Sequence, residues 1–395
     1  AIARHDLDPS WHFREQFTLQ PLAVPYLSTY VIAGLLMTVM PAVSAMKVAI
    51  AVMLGLLPAG LAVMFHGMRK SPLLGLTGLG FVWSGLTSWG FINFMGALGL
   101  FAMVVGLSLR LLDRPSRARQ WALGTALVAV FFSHVFRFPF AIAAVVGCAV
   151  FMVPARKRWT AIVWPLIAPL LLLGVWWWVR PTAIAAELGP LTIDWQRLDQ
   201  AGAFLYRSLR DPAEAQAATG ALRALVGLAL VLAALFIGQG RLLRRQPRQW
   251  AWGIAVTLIP LCCAAVFLWL YLALPMQIGI WWYVYPREIT AAAFIALGAL
   301  PDLPRQRWMQ AAYVMAVAWA VVPLGRVVID NWSRFHESTR DFDAVVEHLP
   351  HAPKLMYLVF DHRGATAINT PYIHLPAYVQ ATHGGWLSFH FATWG

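Results

Sequence analysis

The length of the uncharged apolar runs constrains this chain more than any other feature. Residues 48–65, 159–179, 221–238, 250–274 and 308–322 are almost wholly apolar and show no alternation of period two. A helix that crosses the hydrocarbon core of a bilayer needs about 20 mostly apolar residues, and these runs meet or approach that length. Inside a bilayer no water satisfies backbone N–H and C=O groups, so continuous runs of this kind have to be helices. Composition agrees, with 60% hydrophobic and only 12% charged residues and a mean hydropathy of +0.65. The expected fold is an all-α polytopic membrane protein with about 9 to 11 membrane helices, some of them short or interfacial.

The formal net charge of +13 would point to nucleic acid in a soluble protein. Here the basic residues sit in short clusters between apolar runs, which is the pattern of cytoplasmic loops, so no nucleic-acid partner is expected. The dense clusters are Arg69-Lys70, Arg110 to Arg119, Arg156 to Arg158, Arg241 to Arg248, and Arg305 with Arg307. Placing all five in the cytoplasm leaves an even number of crossings between each pair. The last crossing, Trp308 to Val322, then leaves residues from about 330 to 395 outside as a small extracytoplasmic tail. Three divisions follow: 1–24 as an outer-face loop with an acidic motif, 25–329 as the membrane domain, and 330–395 as the tail. Localisation in a bacterial inner membrane is the corresponding expectation. Cys148, Cys262 and Cys263 all fall in apolar segments and read as small packing residues.

The amino-terminal segment admits two topologies. Residues 25–40 and 48–65 could both span, or 25–40 could lie in the outer interface with only 48–65 crossing inward to Arg69-Lys70. The second is adopted, because the opening stretch is poor in basic residues; it expects a further span before Ala1 and puts "RHDLDPSWH", Arg4 to His12, outside.

That arrangement gathers the unexplained polar residues on the outer face: His5, Asp6, Asp8 and His12, Trp89 and Asn93, His134 and Arg137, Arg287 and Glu288. Asp6-Leu7-Asp8 has the spacing of a pair that holds a hard divalent cation or supplies a general base, a spacing that solvated loops also use. His134 and Arg137 interrupt an apolar stretch, where a charge is costly unless it is functional or snorkels to the headgroups. Arg287 follows the aromatic run "WWYVYP" and suits either a phosphate or the adjacent Glu288. Residues 195–210 read as an amphipathic surface helix, lying on the membrane or roofing a cavity. In the tail, an amphipathic helix, a Pro turn and a buried strand over Leu355–Phe360 are expected to form a small α/β unit. His362, His374, His383 and His390 lack regular metal-ligand spacing.

The order of these features resembles the GT-C superfamily of polytopic glycosyltransferases. Asp6-Leu7-Asp8 sits where that family carries an acidic D-x-D-like motif after its first span. "PYLSTYVIAGLLMTVMPAVSAMK" resembles its interfacial helix, "SHVFRFP" a histidine-bearing outer turn, and Arg287 the basic residue of a late outer loop. The resemblance implies transfer of a sugar from a polyprenyl-phosphate donor to an acceptor at the outer face. Asp6 or Asp8 would be general base or hold a divalent cation such as Mg or Mn, and Arg287 and Arg137, with His134 and Glu288 nearby, would face the lipid phosphate. Implied partners are membrane lipids and the lipid-linked sugar. Two other classes remain open: a non-catalytic subunit of a larger membrane complex, and a transporter or flippase, against which stands the lack of an internal repeat or a matching pair of broken helices.

Overall fold

A computed structural model describes residues 9–16, 18, 25–152, 159–180, 191–207, 211–238, 247–279, 281–358, 360 and 371–387. Among the described residues six helices are long and apolar enough to cross a membrane: Ala42–Gly67, Ile92–Asp113, Trp159–Val179, Pro212–Ile237, Trp252–Ala273 and Arg307–Ser338. The protein is an all-α polytopic membrane protein, with short helices filling the ends of the bundle.

The first helix of the membrane domain, α1 (Ser28–Leu36), has nine residues. At 1.5 Å per residue it covers about 14 Å, half of what a crossing needs. Pro41, with φ −57° and ψ 149°, separates it from α2 (Ala42–Gly67). Residues 25–40 therefore do not form a span, and the segment stays at the end of the bundle where α2 begins. Helix α2 then runs to Arg69-Lys70 at the far end.

Helix α3 (Ile92–Asp113) is the axis of the bundle: 78% of its apolar stretch is buried, against 17% for the outer helix Pro212–Ile237. It packs on α2 through small residues. A Cβ on Gly60 would meet the Gly99 carbonyl, and one on Gly67 the Gly106 carbonyl. Membrane helices have no hydrophobic drive toward one another, so such close backbone approach supplies the van der Waals contact that holds the pair.

Between α2 and α3 the sequence leads one to expect a full span, and the structure instead has a 3₁₀ helix, Pro72–Phe81, followed by the single turn Gly85–Ser88. The cause lies in "PLLGLTGLGF". In a 3₁₀ helix residues three apart eclipse, so Gly75 and Gly78 form one bare row, and both lie against α2 at Pro58. With a rise of about 2 Å per residue the ten residues cover about 20 Å, more than an α-helix of that length would.

Helix α4 (Arg117–Ser133) returns, α5 (Phe138–Phe151) and α6 (Val163–Val179) follow, and α7 (Arg197–Gly202) with its π-helical continuation Ala203–Arg207 lies across one end. Helices α8 (Pro212–Gly238) and α9 (Pro247–Ala273) precede a two-residue hairpin, β1 (Gln277–Ile278) and β2 (Trp281–Trp282), antiparallel with Gln277 opposite Trp282. Helix α10 (Val284–Ala296) is short and ends where Lys70 Nζ donates to the carbonyls of Gly298 and Leu300 at 3.0 and 2.6 Å. Of the basic clusters, Arg69-Lys70, Arg110–Arg119 and Arg305 with Arg307 meet at this end. Residues 156–158 and 241–246 lie outside the described residues.

Helix α11 (Arg307–Ser338) has 32 residues, about 48 Å, so it crosses and projects past the expected boundary near 330. Its projecting part is held by a polar node in which Asn331 Nδ2 and Trp83 Nε1 donate to the two oxygens of the buried Glu214, at 2.5 and 3.0 Å. The tail carries α12 (Phe342–Glu347), α13 (Pro376–His383), and a parallel pair β3 (Lys354–Leu355) and β4 (Trp386–Leu387). The buried strand expected over Leu355–Phe360 is a correction: only Lys354 and Leu355 pair, and Met356, Leu358 and Phe360 are exposed. Two paired residues make no sheet face under which those side chains would be covered. Trp11 and Phe13 are buried, and the Trp11 carbonyl accepts from Gly385 N at 3.5 Å, so residues 9–16 pack with the tail.

Candidate functional site

Of the residues expected to carry function, His134, Arg137, Arg287 and Glu288 come together, at the end of the bundle opposite the basic clusters. Asp6 and Asp8, the expected catalytic or cation-holding pair, and His5 lie outside the described residues. His12 is exposed and bonds Glu15 at 2.7 Å.

Two local breaks build the cluster. Helix α4 stops because His134 is extended (φ −161°, ψ 97°), residues 135–137 make one 3₁₀ turn, and Pro139 sits in the first turn of α5. Proline is tolerated there because that N–H has no helical partner anyway. "SHVFRFP" is thus a turn folded into the bundle: His134 is 5% exposed and Arg137 2%. A snorkelling arginine is excluded by that burial. The second break is Tyr283, left-handed at φ +61°, which turns the aromatic hairpin into α10. Arg287 and Glu288 are then consecutive in the first turns of a helix, pointing about 100° apart.

They do not pair with each other. Arg137 Nη2 donates to Glu288 Oε1, and Glu288 is 6% exposed. The Arg137 guanidinium lies between Phe94 and Phe267, 4.7 and 4.8 Å from their centroids. Arg287 points the other way. Its guanidinium stacks 4.0 Å over Phe91, Nη2 donates to the Trp282 carbonyl at 2.6 Å, and Nη1 lies 3.5 Å from His134 Nε2. The His134 ring is stacked on Tyr26, centroids 4.8 Å apart.

The charge balance is the informative part. Among the described residues two guanidiniums stand with one carboxylate, which pairs with Arg137 alone, so this part of the cluster holds one unit of positive charge in excess. Burial, then the nearby Arg137 and Arg287, hold His134 well below the usual histidine range, so it is neutral and adds no charge. With Nε2 facing a donor, its proton belongs on Nδ1, which has no partner among the described residues, as have Arg137 Nε and Nη1, Arg287 Nε and Glu288 Oε2. Burial pushes the Tyr26 phenol up despite the opposing pull of Arg287 and Arg137, which keeps it a donor. A site with excess positive charge and several donors in low dielectric suits an anion with multiple acceptor oxygens.

Two sets of residues to which the sequence assigns no contact, Asn93 with Tyr26 and the segment from Arg197 to Phe204, flank the cluster. Asn93 takes the Thr29 N–H and hydroxyl on its Oδ1 at 3.1 and 2.6 Å, and its Nδ2 donates to the Tyr26 carbonyl at 3.0 Å. It therefore clamps the start of α1 and fixes Tyr26 over His134. Helix α7 is tied to the end of α9: Arg197 Nη1 donates to the carbonyls of Tyr271 and Leu274 at 3.0 and 2.5 Å, satisfying that helix end. Phe204 closes on Tyr271, Tyr283 and Tyr285. The described part of residues 195–210 is α7 with its π-helical continuation, packed against α9 and α10, and 208–210 lie outside the described residues. In the aromatic run "WWYVY", Trp282 and Tyr283 pack with Trp89, and Tyr283 with Phe91.

No group of three or more His, Cys, Asp or Glu able to hold a metal ion occurs among the described residues. Comparison with protein-family models, with curated proteins and with solved structures finds no match to this chain.

Proposed function

We propose that the protein is a membrane glycosyltransferase that takes a sugar from a polyprenyl-phosphate donor and passes it to an acceptor hydroxyl at the end of the bundle opposite the basic clusters. One observation carries the reading: buried Arg137, Glu288 and His134 stand beside the half-buried Arg287, which leaves two guanidiniums to one carboxylate among the described residues, with spare donors. A structural ion pair needs only Arg137 and Glu288; the second arginine, directed at His134 and Phe91, calls for an anion.

In this reading Arg287, with Arg137 behind it, neutralises the phosphate as it leaves, and the Tyr26 hydroxyl donates to a phosphate oxygen. Asp6 or Asp8 takes the proton from the acceptor hydroxyl. The acceptor oxygen bonds to the anomeric carbon, the carbon–oxygen bond to phosphate breaks, and its electron pair leaves with the polyprenyl phosphate. Direct attack of this kind inverts the anomeric centre. A bacterial inner membrane, with the tail extracytoplasmic, is the location that fits such a donor and the positive-inside pattern.

The test is mass spectrometry of lipids co-purifying with the full-length protein. A polyprenyl-phosphate sugar retained by the native chain and lost from Arg287→Ala is the expected result. A protein that carries no phosphorylated polyprenol, and whose Asp6→Asn and Asp8→Asn variants act as the native one does in cells, would be an accessory subunit instead.

A further inference from the structure

The basic end of the bundle has a cleft of its own, about 710 Å³, between the end of α2, the last turns of α8, the first half of α9 and residues 299–305. It is far from the candidate site and plays no part in the chemistry proposed there. Its key residue is Arg69. Helix α2 ends in a Schellman motif, with Lys70 N bonded to Phe65 O at 2.9 Å, Arg69 N to His66 O at 3.1 Å, and Arg69 left-handed at φ +61°. Glycine is the usual residue at that position, because a side chain there is disfavoured. An arginine accepts that cost and gains a fixed side chain: its guanidinium lies 4.1 Å over the buried Trp252 and donates to Asp113 Oδ1 at 2.6 Å.

The rest of the cleft is divided by polarity. Arg305 is exposed on one side, while Asp302 is occupied by the Ser71 N–H at 2.7 Å. On the other side Ile237, Ile254 and Leu258 are exposed on the outer faces of α8 and α9, where a membrane would touch them. A cationic floor joined to an apolar, laterally open wall is the complement of a phospholipid. We propose that the cleft binds an anionic phospholipid from the leaflet at the basic end, its phosphate against Arg69 and Arg305 and an acyl chain along Ile237, Ile254 and Leu258. Soluble phosphate would use the floor but gain nothing from the wall.

Native mass spectrometry of the full chain, exposed to equal amounts of phosphatidylglycerol and phosphatidylcholine, tests this. The native protein should retain phosphatidylglycerol in excess, and removing one clamping arginine should cut that excess about fivefold. Arg69→Gly suits the backbone it replaces, so it should keep its thermal stability while losing the excess. Arg305→Ala, an exposed position, should lose part of it. Arg117→Ala, at the same end but outside the cleft, should keep it. The proposal is overturned if Arg69→Gly and Arg305→Ala both retain the full excess, or if Arg117→Ala loses as much, which would mean general attraction to a basic surface.

Discussion

The two ends of the helix bundle handle charge in opposite ways. At the basic end the described arginines and lysines of the clusters are at least partly solvated, and two of them are answered locally: Arg69 by Asp113, Lys70 by the carbonyls that close α10. At the other end Arg137, Glu288 and His134 are buried, and among the described residues of the cluster two arginines stand with one carboxylate. The lesson is that number of charges and weight of charges are different things. Exposed cations set orientation in a membrane at little cost each, whereas a second guanidinium, Arg287, set beside a buried ion pair suits an anionic ligand.

Substitutions sharpen that contrast, and the largest effect should come from Glu288→Ala. Removing the carboxylate that pairs with buried Arg137 strands that arginine, which should cost about 3–5 kcal/mol and appear as loss of a cooperative melt in detergent. Asn93→Ala should come next, at about 1–3 kcal/mol, since it leaves Thr29 and the Tyr26 carbonyl without their partner; thermal denaturation would register it. His134 should then make stability depend on pH. A histidine held neutral by burial gives stability that is complete above its ordinary value near 6.5 and is lost as pH falls below it, by up to about 1.4 kcal/mol per pH unit. Melting temperatures taken from pH 7.5 to 5 should fall in the native protein and fall less in His134→Asn. The smallest effect belongs to the basic end, where Asp113→Ala breaks a partly exposed pair and should cost no more than about 1 kcal/mol. If Asp113→Ala and Glu288→Ala destabilise equally, the distinction between the two ends fails.

Much of this was legible in the sequence. Run length gave the class of fold, and charges set inside apolar stretches, at His134, Arg137 and Arg287, pointed to the place where the chain gathers polarity. Positions separated by about 150 residues had no signal of contact, so the pairing of Glu288 with Arg137 rather than with its neighbour Arg287 could not be read. It depends on the angle between successive residues of α10 and on where the turn after α4 docks. Tyr26 looked like one more aromatic in an interfacial helix, and Asn93 like an unassigned polar residue of the outer face; their roles exist only once α1 folds down on the start of α3. The 3₁₀ stretch after Pro72 was missed for a different reason. Its apolar length fits a span, and only the three-residue spacing of Gly75 and Gly78 marks the row that lies against Pro58.

The central claim is that the buried cluster binds the phosphate of a lipid, and it is tested most directly by thermal stabilisation with undecaprenyl phosphate against undecaprenol. The account predicts that the phosphate raises the melting temperature of the native protein, that the alcohol does not, and that Arg287→Ala responds to neither. Equal shifts with both lipids, or a shift that survives in Arg287→Ala, would contradict it.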